Sequence, residues 1–273
     1  MNILIVLAVA AFAVCLLWAV QSIVLTILGE PLTWPLRFAT RKPLMRWTSR
    51  VMIHVSWLII LFGSPLALGI TPADALHQAF PTPVPWRDIG VSFSALFIPG
   101  LIVYALLVTV GWVGIEPQHD AATRRGKLLR RFFGPVPLAT LEEAVFRGVL
   151  LEQLLRSLPS SPAYTTIAVI VSSAIFSSVH FIKLPYPGKP VWQPAYGYFI
   201  VGCLFGLAYI LGGRSLWLPI AVHAAAVFLI EVMKLYSVHQ APPWLMGYSE
   251  WPQSGLVGSL FILAVAIALV VLI

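Results

Sequence analysis

Two adjacent carboxylates and a guanidinium, Glu142, Glu143 and Arg147, stand inside the apolar run Leu141-Glu-Glu-Ala-Val-Phe-Arg-Gly-Val-Leu-Leu151. On a helix Glu143 and Arg147 are one turn apart and share a face, so they can pair, while Glu142 is turned away by roughly 100°. One arginine neutralises one carboxylate. The second must be hydrated, hydrogen-bonded or protonated, which is the setting in which a carboxyl group transfers protons. A purely structural reading competes: Thr140-Leu-Glu-Glu143 has the form of a capping box, with Thr140 as N-cap and Glu143 reaching back. It accounts for one glutamate and leaves Glu142 and Arg147 without a purpose.

The elements that hold these residues follow from composition. Hydrophobic residues make up 59% of the 273-residue chain and charged residues 10%, and the mean hydropathy is +0.92. This is the composition of a polytopic membrane protein, all-α, with no room for a separate soluble domain. The net charge is +7. Yet Arg37, Arg41, Lys42, Arg46 and Arg50, with Arg124, Arg125, Lys127, Arg130 and Arg131, supply ten of the 17 Lys and Arg from two short stretches. That is a signature of membrane topology and anionic lipid, not of a nucleic-acid partner. Cys15 and Cys203 lie in apolar runs and support neither a disulfide nor a cysteine-based metal site.

Apolar runs long enough for a bilayer core of about 30 Å predict eight transmembrane helices, at 3–28, 51–70, 91–115, 138–158, 163–182, 195–211, 215–236 and 256–273. The first lacks a basic n-region and is too long for a signal h-region, so an uncleaved anchor is expected. Residues 30–50 have an amphipathic look suited to the headgroup layer, and residues 71–90 read as a Pro-rich loop. Pro99-Gly100 is expected to bend the third span, and Gly202-x-x-x-Gly206 to admit a neighbouring helix. The organisation is N-terminal spans over 1–137 with two basic cytoplasmic loops, a core over 138–240, and a C-terminal loop and last span over 241–273. Lys183, Lys189 and Lys234 join the basic side, which places both termini on the non-cytoplasmic side.

Charged groups inside such spans cost about 2.5–3.5 kcal/mol each at mid-helix, so the few present are candidates for chemistry. His180 closes Phe176-Ser-Ser-Val-His180, and His223 lies among small apolar residues. The packing alternatives are a neutral His180 donating to a backbone carbonyl and a satisfied His223 on a small-residue face. His54 reads as interfacial, and Glu231 as the partner of Lys234.

Glu142-Glu143-x-x-x-Arg147, then Phe176-x-x-x-His180, then His223 in a later helix resemble the first, second and fourth motifs of the CPBP (Abi) family, the CAAX proteases and bacteriocin-processing membrane proteins. The Gly202 and Gly206 region is weakly similar to the third, and the first 130 residues match nothing beyond being membrane spans. The resemblance implies an intramembrane glutamate-type endopeptidase without a cofactor. In it Glu142 activates a water, His180 orients the water or the scissile carbonyl, His223 stabilises the oxyanion, and Glu143 with Arg147 holds the cluster. Its partners would be membrane lipid and a membrane-associated protein or peptide substrate. The family usually has Asn or Asp four residues after the last histidine, where this chain has Val227. Two other readings stay open: a non-catalytic membrane binding or immunity protein on the same fold, and a Zn²⁺-dependent hydrolase with Glu142, His180 and His223 as ligands.

Overall fold

In a bilayer every backbone N–H and C=O must find a partner within the protein, and apolar segments answer by coiling into helices. The computed structural model describes residues 2–30, 43–181, 192–248 and 252–273. In chain order, α1 is Asn2–Ile27, and α2 is Pro43–Leu58, prolonged through a π-helical turn at Ile59–Gly63 into Ser64–Ala67. Then come α3 (Pro72–Ala79), α4 (Trp86–Thr109), β1 (Val113–Ile115) and α5 (Ala121–Phe133). Helix α6 starts as Pro135–Glu143, widens to a π-helix over Ala144–Leu151 and ends as Glu152–Ser157. The rest is α7 (Pro162–Phe181), α8 (Trp192–Leu211), α9 (Trp217–Tyr236), β2 (Ser237–His239), α10 (Pro243–Met246) and α11 (Leu256–Leu272).

The protein is an all-α membrane bundle, and among the described residues six helices are long and apolar enough to cross a bilayer. The other two expected spans differ from these. Helix α11 has 17 residues, and α6 carries Glu142, Glu143, Arg147 and Glu152 within its apolar run.

Several local expectations are corrected. The third span stops at Thr109 because the chain turns at Gly111, φ +76, and Val113–Ile115 forms a strand instead. The 71–90 stretch contains α3, capped by Thr71, whose hydroxyl accepts from the Asp74 amide at 3.1 Å. The second basic stretch is helix α5, capped by Asp120. The Thr123 amide and hydroxyl hold that exposed carboxyl below its ordinary pKa. Thr140 is no cap: its helix already begins at Pro135, and its hydroxyl donates to the Val136 carbonyl at 2.8 Å. Pro99 lies inside α4. Arg37, Arg41, Lys42, Lys183, Lys189 and the side chains of Arg46 and Arg50 lie outside the described residues.

Polar groups and small residues decide how the helices meet. Gln21 donates to Ser49 at 3.2 Å and Ser56 to the Ala13 carbonyl at 3.2 Å, which joins α1 to α2. Trp57 of α2 then meets Phe146 of α6 edge to face, centroids 5.4 Å apart. Between α7 and α8, a Cβ at Gly206 would sit 2.8 Å from Val169 and one at Gly202 3.1 Å from Ser173. The expected close approach is therefore made by α7. The same logic joins α4 to α9, where Gly100 leaves no room for a Cβ beside Leu229.

Two ties fix opposite ends of the bundle. At one, β1 and β2 pair antiparallel, Val113 opposite His239, and so link the ends of α4 and α9. At the other, the Leu216 amide donates to the Ala79 carbonyl at 2.9 Å and the Trp217 indole to the Pro81 carbonyl at 3.2 Å.

Candidate active site

Helix α6 is the centre of the core, buried almost all round from Glu142 to Leu151. Its buried arginine lies against its buried carboxylate: Arg147 Nη1 donates to Glu143 Oε1 at 3.2 Å. Nη2 donates to the Gly202 carbonyl of α8 at 2.8 Å. The guanidinium also lies over three aromatic rings, 4.8 Å from the centroid of Phe176, 5.3 Å from Phe205 and 6.0 Å from Phe146. Ring faces attract a cation most when water is excluded, which helps to hold a charge at this depth.

Glu143 has a second partner from another helix. Its Oε1 lies 2.7 Å from Nδ1 of His223 in α9. A carboxylate only accepts, so Nδ1 carries the hydrogen and Nε2 is left to face the other way. There it meets Glu142, whose Oε2 is 3.8 Å distant.

His180 reaches the same carboxylate from α7. Its Nδ1 is 2.8 Å from the Phe176 carbonyl, one turn back on its own helix. A carbonyl also only accepts, so Nδ1 donates and Nε2 points to Glu142 Oε2 at 3.9 Å. The structure thus brings together all five residues singled out from the sequence. The packing alternative for His180 describes one side of its ring, and the other side faces a buried carboxylate.

Both imidazoles are stacked by α8. Tyr198 lies on His180, centroids 4.1 Å apart and planes at 24°, and Phe205 on His223 at 4.4 Å and 20°. Tyr198, the Gly202 carbonyl and Phe205 are spaced at one and then nearly two turns, so one face of α8 serves the whole cluster. The sequence signal was Gly202-x-x-x-Gly206, read there for helix approach and for a weak similarity to the third motif.

The separations from Glu142 exceed a direct hydrogen bond and suit a water bound to both sides at about 2.8 Å. With neutral histidines, two carboxylates and one guanidinium leave the cluster one negative charge. Among the described residues no group of three His, Cys, Asp or Glu side chains is arranged to hold a metal ion. Glu231 stands apart, bound by Lys234 at 3.1 Å as expected, and by Arg131 of α5 at 2.6 Å. His54 is exposed on α2.

The site is thus a buried carboxylate between two imidazoles inside a membrane bundle. Residues 126–229 match one family model, described as type II CAAX prenyl endopeptidase Rce1-like. That segment contains all five residues, so the part of the chain that holds the site is similar to the CAAX endopeptidases. Comparison with curated proteins and with solved structures gave no match.

Proposed function

We propose that the protein is an intramembrane endopeptidase that hydrolyses peptide bonds in membrane-associated or lipid-modified protein C-termini, or in exported peptides, with a glutamate-activated water. The observation that supports this most is Glu142, buried, with Nε2 of His180 and of His223 both facing its carboxylate. Residues 138–240 form the reacting core of this reading.

Each step has a group suited to it. A water between the three side chains gives one proton toward Glu142 and its other O–H to His180 Nε2, an acceptor because Nδ1 is committed to Phe176. Its oxygen adds to the scissile carbonyl carbon. The resulting oxyanion accepts a hydrogen bond from Nε2 of His223 in its protonated form, which Glu143 stabilises from the Nδ1 side. Glu142 then returns the proton to the departing amine as the C–N bond breaks. Glu143 and Arg147 take no part in bond making and hold His223 in place.

A second reading, a non-catalytic binding or immunity protein on the same fold, draws support from Val227, half-buried and without a hydrogen-bonding group. One experiment separates the readings. The purified chain is given a fluorogenic peptide with a farnesylated cysteine and a three-residue tail, and a membrane-anchored peptide without a prenyl group. Cleavage of either, abolished by Glu142→Gln with the fold intact and unchanged by a strong chelator, supports the glutamate mechanism. Cleavage that chelation removes and Zn²⁺ restores would overturn it. Cleavage of neither, with a partner still bound equally by the parent and by Glu142→Gln, would favour the non-catalytic reading.

A further inference from the structure

The last turns of α6 carry a second polar cluster, at the end of the bundle away from the β1–β2 ribbon. Glu152 Oε1 accepts from Arg156 Nε at 2.7 Å and lies 3.6 Å from Arg214 Nη1, while Oε2 accepts from the Tyr209 hydroxyl at 3.0 Å. These groups rim a cleft of about 260 Å³ whose walls include Leu61, Phe80 and Leu216. The proposed reaction uses none of them.

Three observations point to a ligand. Two arginines face one carboxylate, so the rim keeps a positive charge, on side chains 41% and 51% exposed. Arg214 has φ +66, the one positive value outside glycine among the described residues, a conformation that larger side chains rarely adopt. Glu152 is already satisfied by Arg156 and Tyr209, so it does not by itself require this second arginine. Third, Gln153 lines the cleft, is 5% exposed, and its Oε1 has no hydrogen-bond partner among the described residues. A hydroxyl or N–H donor is what it lacks.

The depth of the cleft in the bilayer narrows the choice. It is built from the end turns of α2, α6 and α8, the start of α9 and the connecting α3. Trp86 and Trp217 stand at helix starts at this same end, as aromatic residues do at headgroup level. We propose that the cleft binds an anionic phospholipid with a hydroxylated headgroup. Its phosphate meets Arg156 and Arg214, its hydroxyl reaches Gln153 once that buried side chain turns toward the cleft, and its acyl stem lies along Leu61 and Phe80. Guanidinium groups favour phosphate because they offer it paired donors.

The test uses the purified full chain in detergent micelles, read by thermal unfolding and native mass spectrometry. Phosphatidylglycerol is expected to raise the unfolding temperature above that seen with phosphatidylcholine and to be retained as a bound lipid. The increment should vanish in Arg156→Gln/Arg214→Gln and in Ala75→Trp, which fills the cleft and leaves the rim charges intact. It should persist in Lys127→Gln/Arg130→Gln on α5. If the double arginine variant does not fold, Ala75→Trp decides. An equal increment in the cleft variants, or the same increment from inorganic phosphate, would overturn the proposal: the first places the lipid elsewhere, the second makes the ligand a free anion.

Discussion

Nδ1 of His223 lies 2.7 Å from Oε1 of Glu143, a residue 80 positions earlier in the chain. One carboxylate oxygen therefore serves both this imidazole and the guanidinium of Arg147. Glu143 thus ties α6 to α9, whereas Glu142 beside it faces the imidazoles of His180 and His223.

The two glutamates should separate experimentally. Glu143→Gln keeps an acceptor oxygen but removes the charge opposite a fully buried Arg147, and breaking such a pair costs about 3–5 kcal/mol. Its unfolding temperature and its turnover should both fall. Glu142→Gln should unfold near the parent's temperature and show no turnover. A Glu143→Gln protein with the parent's stability and rate would remove the role of this tie.

Tyr198 is expected to position His180 through its ring face. Stacked aromatic pairs contribute about 0.5–1.5 kcal/mol, so Tyr198→Leu should lower kcat by up to roughly tenfold with KM little changed. Tyr198→Phe should retain the parent's kcat. Equal losses in both variants would assign the effect to the hydroxyl.

Val227 lies one helical turn beyond His223 on α9 and offers no hydrogen bond. Losing one oxyanion donor typically costs about 2.7–4 kcal/mol, or roughly 10²–10³ in rate. Val227→Asn should therefore accelerate cleavage, compared with the parent at equal folded concentration. An unchanged or reduced rate would mean that the oxyanion is held by other groups.

Orientation in the membrane is open to direct labelling. The basic stretches around Arg41 and Arg125 are expected to face the cytoplasm, and both termini to face away. Arg125→Cys, made in a background lacking Cys15 and Cys203, should resist an impermeant thiol reagent in intact cells and react after lysis. Labelling before lysis would invert the topology.

What the sequence made legible here is tied to rarity. In a chain 10% charged, Glu142, Glu143, Arg147, His180 and His223 stand out because each costs free energy in an apolar surround, and the structure gathers all five. The helices were legible for the same reason, since apolar length alone compels them. The Gly202 carbonyl that receives Arg147 was not, because a backbone acceptor leaves no trace in residue type. Tyr198 and Phe205 look like any core aromatics until the histidines they cover are placed. The ribbon between Val113–Ile115 and Ser237–His239 depends on a pairing of distant segments, and no local pattern announces it.

The π-helical stretch Ala144–Leu151 bears on how this protein tolerates change. A widened turn delays the rotation of side chains along the axis, so residues on either side of it are out of phase with an ordinary helix. Glu142 and Glu143 thereby face the histidines while Glu152, on the same continuous rod, faces Tyr209. What joins the two ends of α6 is thus a residue count, not any particular side chain. A conservative substitution within 144–151 leaves that phase alone, whereas loss of a single residue would rotate one end against the other. Length in this segment matters alongside the identity of Arg147.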